Sequence, residues 1–337
     1  PGSGESYVIF GKAAGIGTID LFGLSDADGF SIRGADVNDS SGRSVSGAGD
    51  VNGDGFDDII VGAWFGRGEG NSELFAGESY VIFGKADGFG AIDVGALTPT
   101  EGFTIYGADA FDFSGAAVSA AGDVDGDGFD DIIVGAQSAS GSGNLEPGAG
   151  ESYVIFGGDT GAVTHAGTSA SEVLNGTINA DVMVAGQGDD TVIGGGGEDV
   201  LIGAAGNDLL TIADTNFARI DGGSGYDTVA LEGAGENLDL TQLGSAEVEG
   251  IEAFDLSGAG DNTLTLNTHD VLQLSDETND LHIFGDGGDN VNLEGDFTLA
   301  PDQEIVGTTT FDVYVSATTD ARVLTEATDV NVNLVIV

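Results

Sequence analysis

Two patterns of apolar and polar positions divide the chain. The first is a set of short apolar runs closed by Gly: GFSIRG, SVSGAG, DDIIVGA and SYVIFGK. Runs of this length, rich in β-branched and aromatic residues and bounded by Gly and Asp, read as strands. Their order repeats. GESYVIFG stands at 4–11, 77–84 and 150–157, a constant spacing of 73 residues. EGFTIYGADAFDFSGAAVSAAGD (101–123) likewise matches DGFSIRGADVNDSSGRSVSGAGD (28–50). Each unit is expected to supply four short strands, and tandem four-stranded units predict propeller blades over 1–157.

The second pattern begins at Asp181 with a period of nine. AGQGDDTVI (185–193), GGGGEDVLI (194–202) and GAAGNDLLT (203–211) are consecutive; DGGSGYDTVAL (221–231) follows after a gap, and NGTINADVMV (175–184) is a degenerate first copy. Asp181, Asp190, Asp199 and Asp208 keep the phase, and Asp227 comes nineteen residues later. Val192, Leu201, Leu210 and Val229 hold one apolar phase and are expected to point inward. Between the two systems, GDTGAVTHAGTSASE (158–172) has no period and reads as a linker, with His165 solvated. From 233 the chain turns to period-two alternation, in EGIEAFDLSG, NTLTLNTHDVLQLSD, NDLHIFGDGGDNVNLEGD, TTFDVYVSA and TDVNVNLVIV, and GDGGDNVNL (285–293) reads as one weakened nonamer. Half-buried strands are expected there, as a β-rich continuation or cap of the roll that covers strand edges. The expected class is all-β: incomplete blades over 1–157, a parallel roll over 173–232 and a cap over 233–337.

Candidate chemistry enters with the acidic residues. GDVNGDGFDDIIVGA (49–63) recurs as GDVDGDGFDDIIVGA (122–136). Asp50, Asn52, Asp54 and Asp58 fall at positions 1, 3, 5 and 9 of a loop, with Phe56 at position 7, where a backbone carbonyl suffices. Asp123, Asp125, Asp127, Phe129 and Asp131 repeat the spacing. Alternating short carboxylates on a tight, Gly-bent loop can converge on a hard cation, and Ca2+ takes six to eight such oxygens. An EF-hand is excluded, because position 12 is Val61 or Val134 inside a predicted strand rather than a bidentate Glu.

These residues resemble a known family. The order FSG, then GD(V)(N/D)GDGFDDIIVGA, then YVIFG is similar to the FG-GAP repeat of integrin-α-type β-propellers, a resemblance that covers 1–157. It implies Ca2+ in the two Asp loops. Residue 1 falls inside a repeat, since PGSGESY (1–7) parallels PGAGESY (147–153). The expectation is a fragment of a longer chain, with a ring assembled from several copies as the alternative. The longest rim insertion, AWFGRGEGNSELFAG (63–77), carries the single Trp, Trp64, and Arg67. It offers a contact for a cell-surface protein or carbohydrate, against the preferred reading that Trp64 packs between blades.

The nonamers resemble the G-G-x-G-x-D-x-U-x motif of repeats-in-toxin proteins, which wind into a parallel β-roll. Gly-rich turns expose carbonyls, the Asp adds a carboxylate, and stacked turns bring both around one ion. That assigns Gly186, Gly188 and Asp190, Gly195, Gly197 and Asp199, Gly206 and Asp208, and Gly223, Gly225 and Asp227 as Ca2+ ligands. The ending NLVIV resembles, by composition, the C-terminal signal of type I secretion, which implies a secreted or cell-surface protein.

Composition narrows the partners. Seven Lys+Arg against 58 Asp+Glu give a formal charge of −51, which repels nucleic acid and anionic membranes. Without Cys the chain has no disulfide staple, leaving Ca2+ as the expected stabiliser. No run of 18 apolar residues exists to span a membrane. Three histidines, no H-E-x-x-H and no G-x-S-x-G leave no recognisable catalytic group. The expected function is a Ca2+-stabilised extracellular adhesion or structural module that folds after export. The alternatives are the non-catalytic tail of a secreted hydrolase or toxin, and a self-associating surface layer or filament.

Overall fold

The computed structural model describes residues 2–335 apart from 13–14, 86–87, 142–145, 245–246, 275–278 and 328–329. Pro1 and the last two residues of the NLVIV ending therefore lie outside the described residues. Among the described residues the chain is all-β with one short α-helix, and it forms two compact units, 1–125 with 129–160 and 126–128 with 161–337.

The first unit holds β1 (Glu5–Ile9), β2 (Gly29–Arg33), β3 (Ser44–Gly49), β4 (Asp58–Ala63) and β5 (Glu78–Ile82). It continues with β6 (Ile92–Asp93), β7 (Gly102–Tyr106), β8 (Ser114–Gly122), β9 (Asp131–Ala136) and β10 (Glu151–Ile155). One sheet is a complete four-stranded antiparallel blade in the order β3-β4-β5-β7. Its strand alternation serves two cores. Val61, Tyr80 and Ile82 pack with Phe30, Ile32 and Val94, while Ile60, Val81 and Phe83 pack with Ala48, Val51, Ile132 and Val134. A sheet buried on both faces needs apolar residues at consecutive positions, which is why IIV and YVIF run unbroken.

The phase of the blade differs from the sequence unit. GFTIY (β7), the strand opening the second repeat, pairs with ESYVI (β5) of the first repeat and completes its blade. GFSIR (β2) likewise pairs with ESYVI (β1) before it. A blade therefore reads SVSGAG–DIIVGA–ESYVI–GFTIY rather than starting at GF. The flanking sheets are partial: β1-β2-β6 on one side and β10-β9-β8 on the other.

The second unit is a coil of parallel strands. It begins with β11 (His165–Thr168), β12 (Val173–Asn175), β13 (Val182–Gln187), β14 (Thr191–Ile193), β15 (Val200–Ala205) and β16 (Leu209–Ile212). β17 (Arg219–Asp221), β18 (Thr228–Leu231), β19 (Asn237–Asp239), β20 (Val248–Glu249), β21 (Ala253–Asp255) and β22 (Thr263–Asn267) follow. After α1 (Thr268–Leu274) come β23 (Asp280–Phe284), β24 (Asn290–Glu294), β25 (Phe297–Leu299), β26 (Glu304–Val306), β27 (Thr309–Ser316), β28 (Arg322–Glu326) and β29 (Asn331–Val335). Alternate strands stack into two parallel sheets, β11-β13-β15-β17-β20 and β12-β14-β16-β18-β21-β23-β28. A third, β19-β22-β24-β29, joins them from Asn237 onward.

Val192, Leu201, Leu210 and Val229 are all fully buried, as their shared phase predicts, in a core that runs on through Phe254, Leu264, Ile283 and Val291. Two expectations are corrected, the linker at 165–168 and the strand at His269. Residues 165–168 of the expected linker form β11, which pairs in parallel with β13, and His165 lies 2.9 Å from Thr164 Oγ1 rather than free in solvent. Of the two readings for the segment from 233, continuation prevails: the parallel coil runs on to Val335, and among the described residues β25–β27 add antiparallel pairing at its edge. His269 sits in α1, where Asn267 Oδ1 accepts the N–H groups of His269 and Asp270; a side-chain cap diverts the alternating segment into a helical turn.

Candidate metal sites

The two Asp loops share a spacing and differ at position 3. In the second, Asp123, Asp125 and Asp131 each bring a carboxylate oxygen within 4.8 Å of the others. Three carboxylates so placed repel one another unless a cation lies between them. It is the one such grouping of acidic or His ligands among the described residues, and Asp127 is not part of it. The first loop is held by its own side chains. Asp50 accepts the N–H groups of Asp54 (3.0 Å) and Gly55 (2.8 Å), and Asp54 accepts that of Phe56 (3.0 Å). Asn52 donates its amide N–H to Asp54 Oδ2 at 2.9 Å. Position 3 is Asn52 in the first loop and Asp125 in the second, so the first loop has one carboxylate fewer at positions 1, 3 and 9.

Position 9 is an anchor in both loops. Asp58 accepts from the N–H groups of Val51 (2.9 Å) and Gly84 (2.8 Å), tying the loop to the end of β5. Asp131 does the same with Val124 (2.8 Å) and Gly157 (2.9 Å). Burial pushes the Asp58 carboxyl up to about 8. Phe56 is exposed and Phe129 buried. Asp130, which the spacing does not single out, joins the loops: its Oδ2 accepts from Asp50 N–H at 2.8 Å, and its own N–H donates to Asp50 O at 3.1 Å.

In the coil the carboxylates form columns. Glu172 N–H donates to Asp190 Oδ1 (2.7 Å), Asp190 N–H to Asp208 Oδ1 (2.7 Å), Asp208 N–H to Asp227 Oδ1 (2.7 Å) and Asp227 N–H to Glu252 Oε2 (2.8 Å). Each Asp thus spends one oxygen on the turn before it. The second oxygens of Asp190, Asp208 and Asp227 are buried and have no hydrogen-bond partner. A buried polar atom left so costs about 1–3 kcal/mol, and more when charged. Burial accordingly raises all three carboxyls, Asp208 to about 6 and Asp227 to about 8.

On the other side of the coil Asp181 N–H donates to Asp199 Oδ1 (2.9 Å), and Thr177 satisfies Asp181 Oδ2 through its N–H (2.6 Å) and hydroxyl (2.8 Å). That column stops at Asp199, whose carbonyl meets Ala218 N–H at 2.8 Å where the next Asp would stand. One level on, Arg219 is buried and pairs with Asp221 and Glu249, a fixed cation inside the acidic coil.

The turn glycines expected to supply the remaining ligands sit at positive φ. Gly186, Gly195 and Gly223 lie at φ 93°, 93° and 83°, and Gly188, Gly197, Gly206 and Gly225 at 116°, 128°, 150° and 137°. Gly adopts these angles without the clash a Cβ would bring. A Cβ on Gly206 would strike the carbonyl oxygen of Gly188, and one on Gly225 that of Gly206. The turns therefore stack carbonyl on Gly, and Gly203 and Gly222 lie against the Asp208 and Asp227 side chains. The donors are all hard oxygen, which suits Ca2+.

Two family models match the chain: the FG-GAP repeat over 41–82 and 114–164, and the RTX calcium-binding nonapeptide repeat, in four copies, over 175–210. The chain carries FG-GAP repeats followed by RTX calcium-binding repeats. No curated protein matches it. The RTX match names Ca2+ as the cation, and the unpartnered oxygens of Asp190 and Asp208 lie within the matched span. The FG-GAP match over 41–82 opens before β3 and ends at β5.

Sequence reasoning missed Glu172 and Glu252, which cap the Asp column, and a third column in which Glu236 N–H donates to Asn262 Oδ1 and Asn262 N–H to Asp289 Oδ1. Glu172 keeps the nonapeptide phase, 18 residues before Asp190, whereas Asp227 to Glu252 and the third column span 25, 26 and 27 residues rather than the 18 or 19 of the regular turns. Their one signal is a lone acidic or amide residue ahead of an apolar run. In the 63–77 insertion Trp64 stacks on Phe65 at 4.3 Å, and the Arg43 guanidinium lies 5.1 Å over its ring, so the Trp is packed.

Proposed function

We propose that this chain is a calcium-dependent folding module of an extracellular protein, used for adhesion or surface structure and assembled after export. The observation that carries it is the column of buried carboxylate oxygens on Asp190, Asp208 and Asp227 with no partner in the protein. Together with a charge of −51, this core opposes its own folding until a cation arrives. Gly186, Gly188 and Asp190, Gly195, Gly197 and Asp199, Gly206 and Asp208, and Gly223, Gly225 and Asp227 would hold Ca2+ in the coil. Asp123, Asp125, Asp127, the Phe129 carbonyl and Asp131 would hold it in the second FG-GAP loop, and Asp50, Asn52, Asp54, Phe56 and Asp58 in the first. The ion supplies charge neutralisation, and its binding free energy becomes folding free energy. Low cytosolic Ca2+ keeps the chain loose for export, and Ca2+ outside the cell closes it.

FG-GAP and RTX repeats are structural or binding modules, which supports a non-catalytic role for this chain. Circular dichroism in Ca2+ and in chelator tests the reading. A β spectrum and a cooperative melt that depend on Ca2+ are expected; the same spectrum and melting temperature in chelator would overturn it.

A further inference from the structure

The sequence ESYVI occurs as β1, β5 and β10, and the three copies meet different fates. β1 carries GFSIR (β2) on its outer edge in the register Glu5↔Arg33 to Ile9↔Gly29. β5 carries GFTIY (β7) in the equivalent register, Glu78↔Tyr106 to Ile82↔Gly102. Among the described residues β10 pairs with β9 alone.

The bonds that hold the outer strand recur as well. In one pair Phe10 N–H donates to Asp28 O (2.9 Å) and Gly34 N–H to Gly4 O (3.0 Å). In the other Phe83 N–H donates to Glu101 O (3.0 Å) and Gly107 N–H to Gly77 O (2.8 Å). So does an aromatic contact: Phe10–Phe30 and Phe83–Phe103 both stand 6.0 Å apart, tilted by 48° and 55°. Phe156 is the third member of this Phe series and has no ring partner among the described residues. Its exposure is 56% against 4% for Phe83, and Val154 is 43% exposed against 0% for Val81. Antiparallel alternation puts the outward backbone groups of β10 on Gly150, Ser152, Val154 and Phe156.

We propose that the outer edge of β10 is a strand-docking site for a partner polypeptide carrying an extended segment of the pattern acidic-Gly-Phe-Ser/Thr-Ile. The incoming strand runs antiparallel, with its Gly opposite Ile155 and the residue after Ile opposite Glu151. Its Phe covers Phe156. Main-chain bonds give the attachment and the Phe pair gives selectivity. An exposed, apolar strand edge is also the feature that natural sheets block when they have no use for it, and β10 carries no Pro, Lys or bulge to block it.

The test uses the whole Ca2+-loaded chain and a fluorescent peptide of sequence PTEGFTIYGAD, copied from residues 99–109. Fluorescence anisotropy is expected to show saturable binding. N-methylation at the peptide's Phe or Ile amide, which face β10, should weaken it at least about tenfold, whereas methylation at its Thr, which faces away, should not. Phe156→Ala should weaken it also, with the Ca2+-dependent melt unchanged. Equal binding of a scrambled peptide, or equal loss from methylation at Phe and at Thr, would overturn the proposal. So would sedimentation showing self-association through β10 that the peptide does not displace, which would make the occupant a second copy.

Discussion

Asp208 donates its backbone N–H to Asp227 Oδ1 at 2.7 Å, and the other oxygen of each carboxylate is buried without a partner. One oxygen of Asp227 thus builds the coil and the other opposes it. Asp227→Asn removes the buried charge but keeps an acceptor for Asp208. In chelator the variant should melt higher than the parent; in saturating Ca2+ it should melt lower and need more Ca2+ to fold. Calorimetric melts across a Ca2+ series check both, and a shift of the same sign in both conditions would contradict the double role.

Gly225→Ala places a methyl against the Gly206 carbonyl oxygen, at a φ of 137° that L residues avoid. Both effects act on the folded state. A loss of more than about 1 kcal/mol is expected, read as a lower denaturant midpoint in Ca2+. Gly287→Ala, where a Cβ meets no atom within 4 Å, is the matched control and should change little.

Leu210→Ala tests the apolar column rather than the polar one. Leu210 is fully buried between Val192 and Val229 in adjacent strands. Truncation should cost about 2–5 kcal/mol and lower the melting temperature in Ca2+, while Leu209→Ala, at an exposed neighbour, should cost far less.

Asp39 provides a pH signature independent of the metal loops. It is buried, and burial followed by repulsion from Glu78 and Asp36 raises its carboxyl to about 6. The unfolded chain releases this proton near pH ~4, so between about 4 and 6 the folded state holds a proton that the unfolded state has lost. Stability from this group is present at low pH and falls as pH rises through about 6. Asp39→Asn should therefore raise the melting temperature of the Ca2+-loaded chain more at about pH 7.5 than at about pH 5. Equal shifts at both values would show that Asp39 does not titrate there.

Asp125→Ala removes one of the three converging oxygens of the second FG-GAP loop. Equilibrium dialysis should show fewer bound ions at saturation, with the Ca2+-dependent melt of the RTX coil retained. Unchanged stoichiometry would remove this loop from the Ca2+ sites.

The sequence by itself determined the periods and what they require locally. The 73-residue repeat of ESYVI and DIIVGA marked the strands of the blades, and the nine-residue spacing of Asp190, Asp199 and Asp208 marked the turns of the coil. Both are signals along the chain, where Gly, Asp and apolar residues constrain their own neighbourhood. Tertiary structure decided everything that depends on pairing across the chain. It set the blade phase, because GFTIY can bond only to the ESYVI edge it meets in space. It continued the coil past residue 233, where Asp227 reaches Glu252 across 25 residues and Asn262 reaches Asp289 across 27. Insertions of that size erase a period from the sequence yet leave the register of stacked strands intact, since parallel strands fix only where a turn returns and not how long it is. Which oxygen of each Asp is spent on the backbone, and which is left for a cation, follows from that stacking.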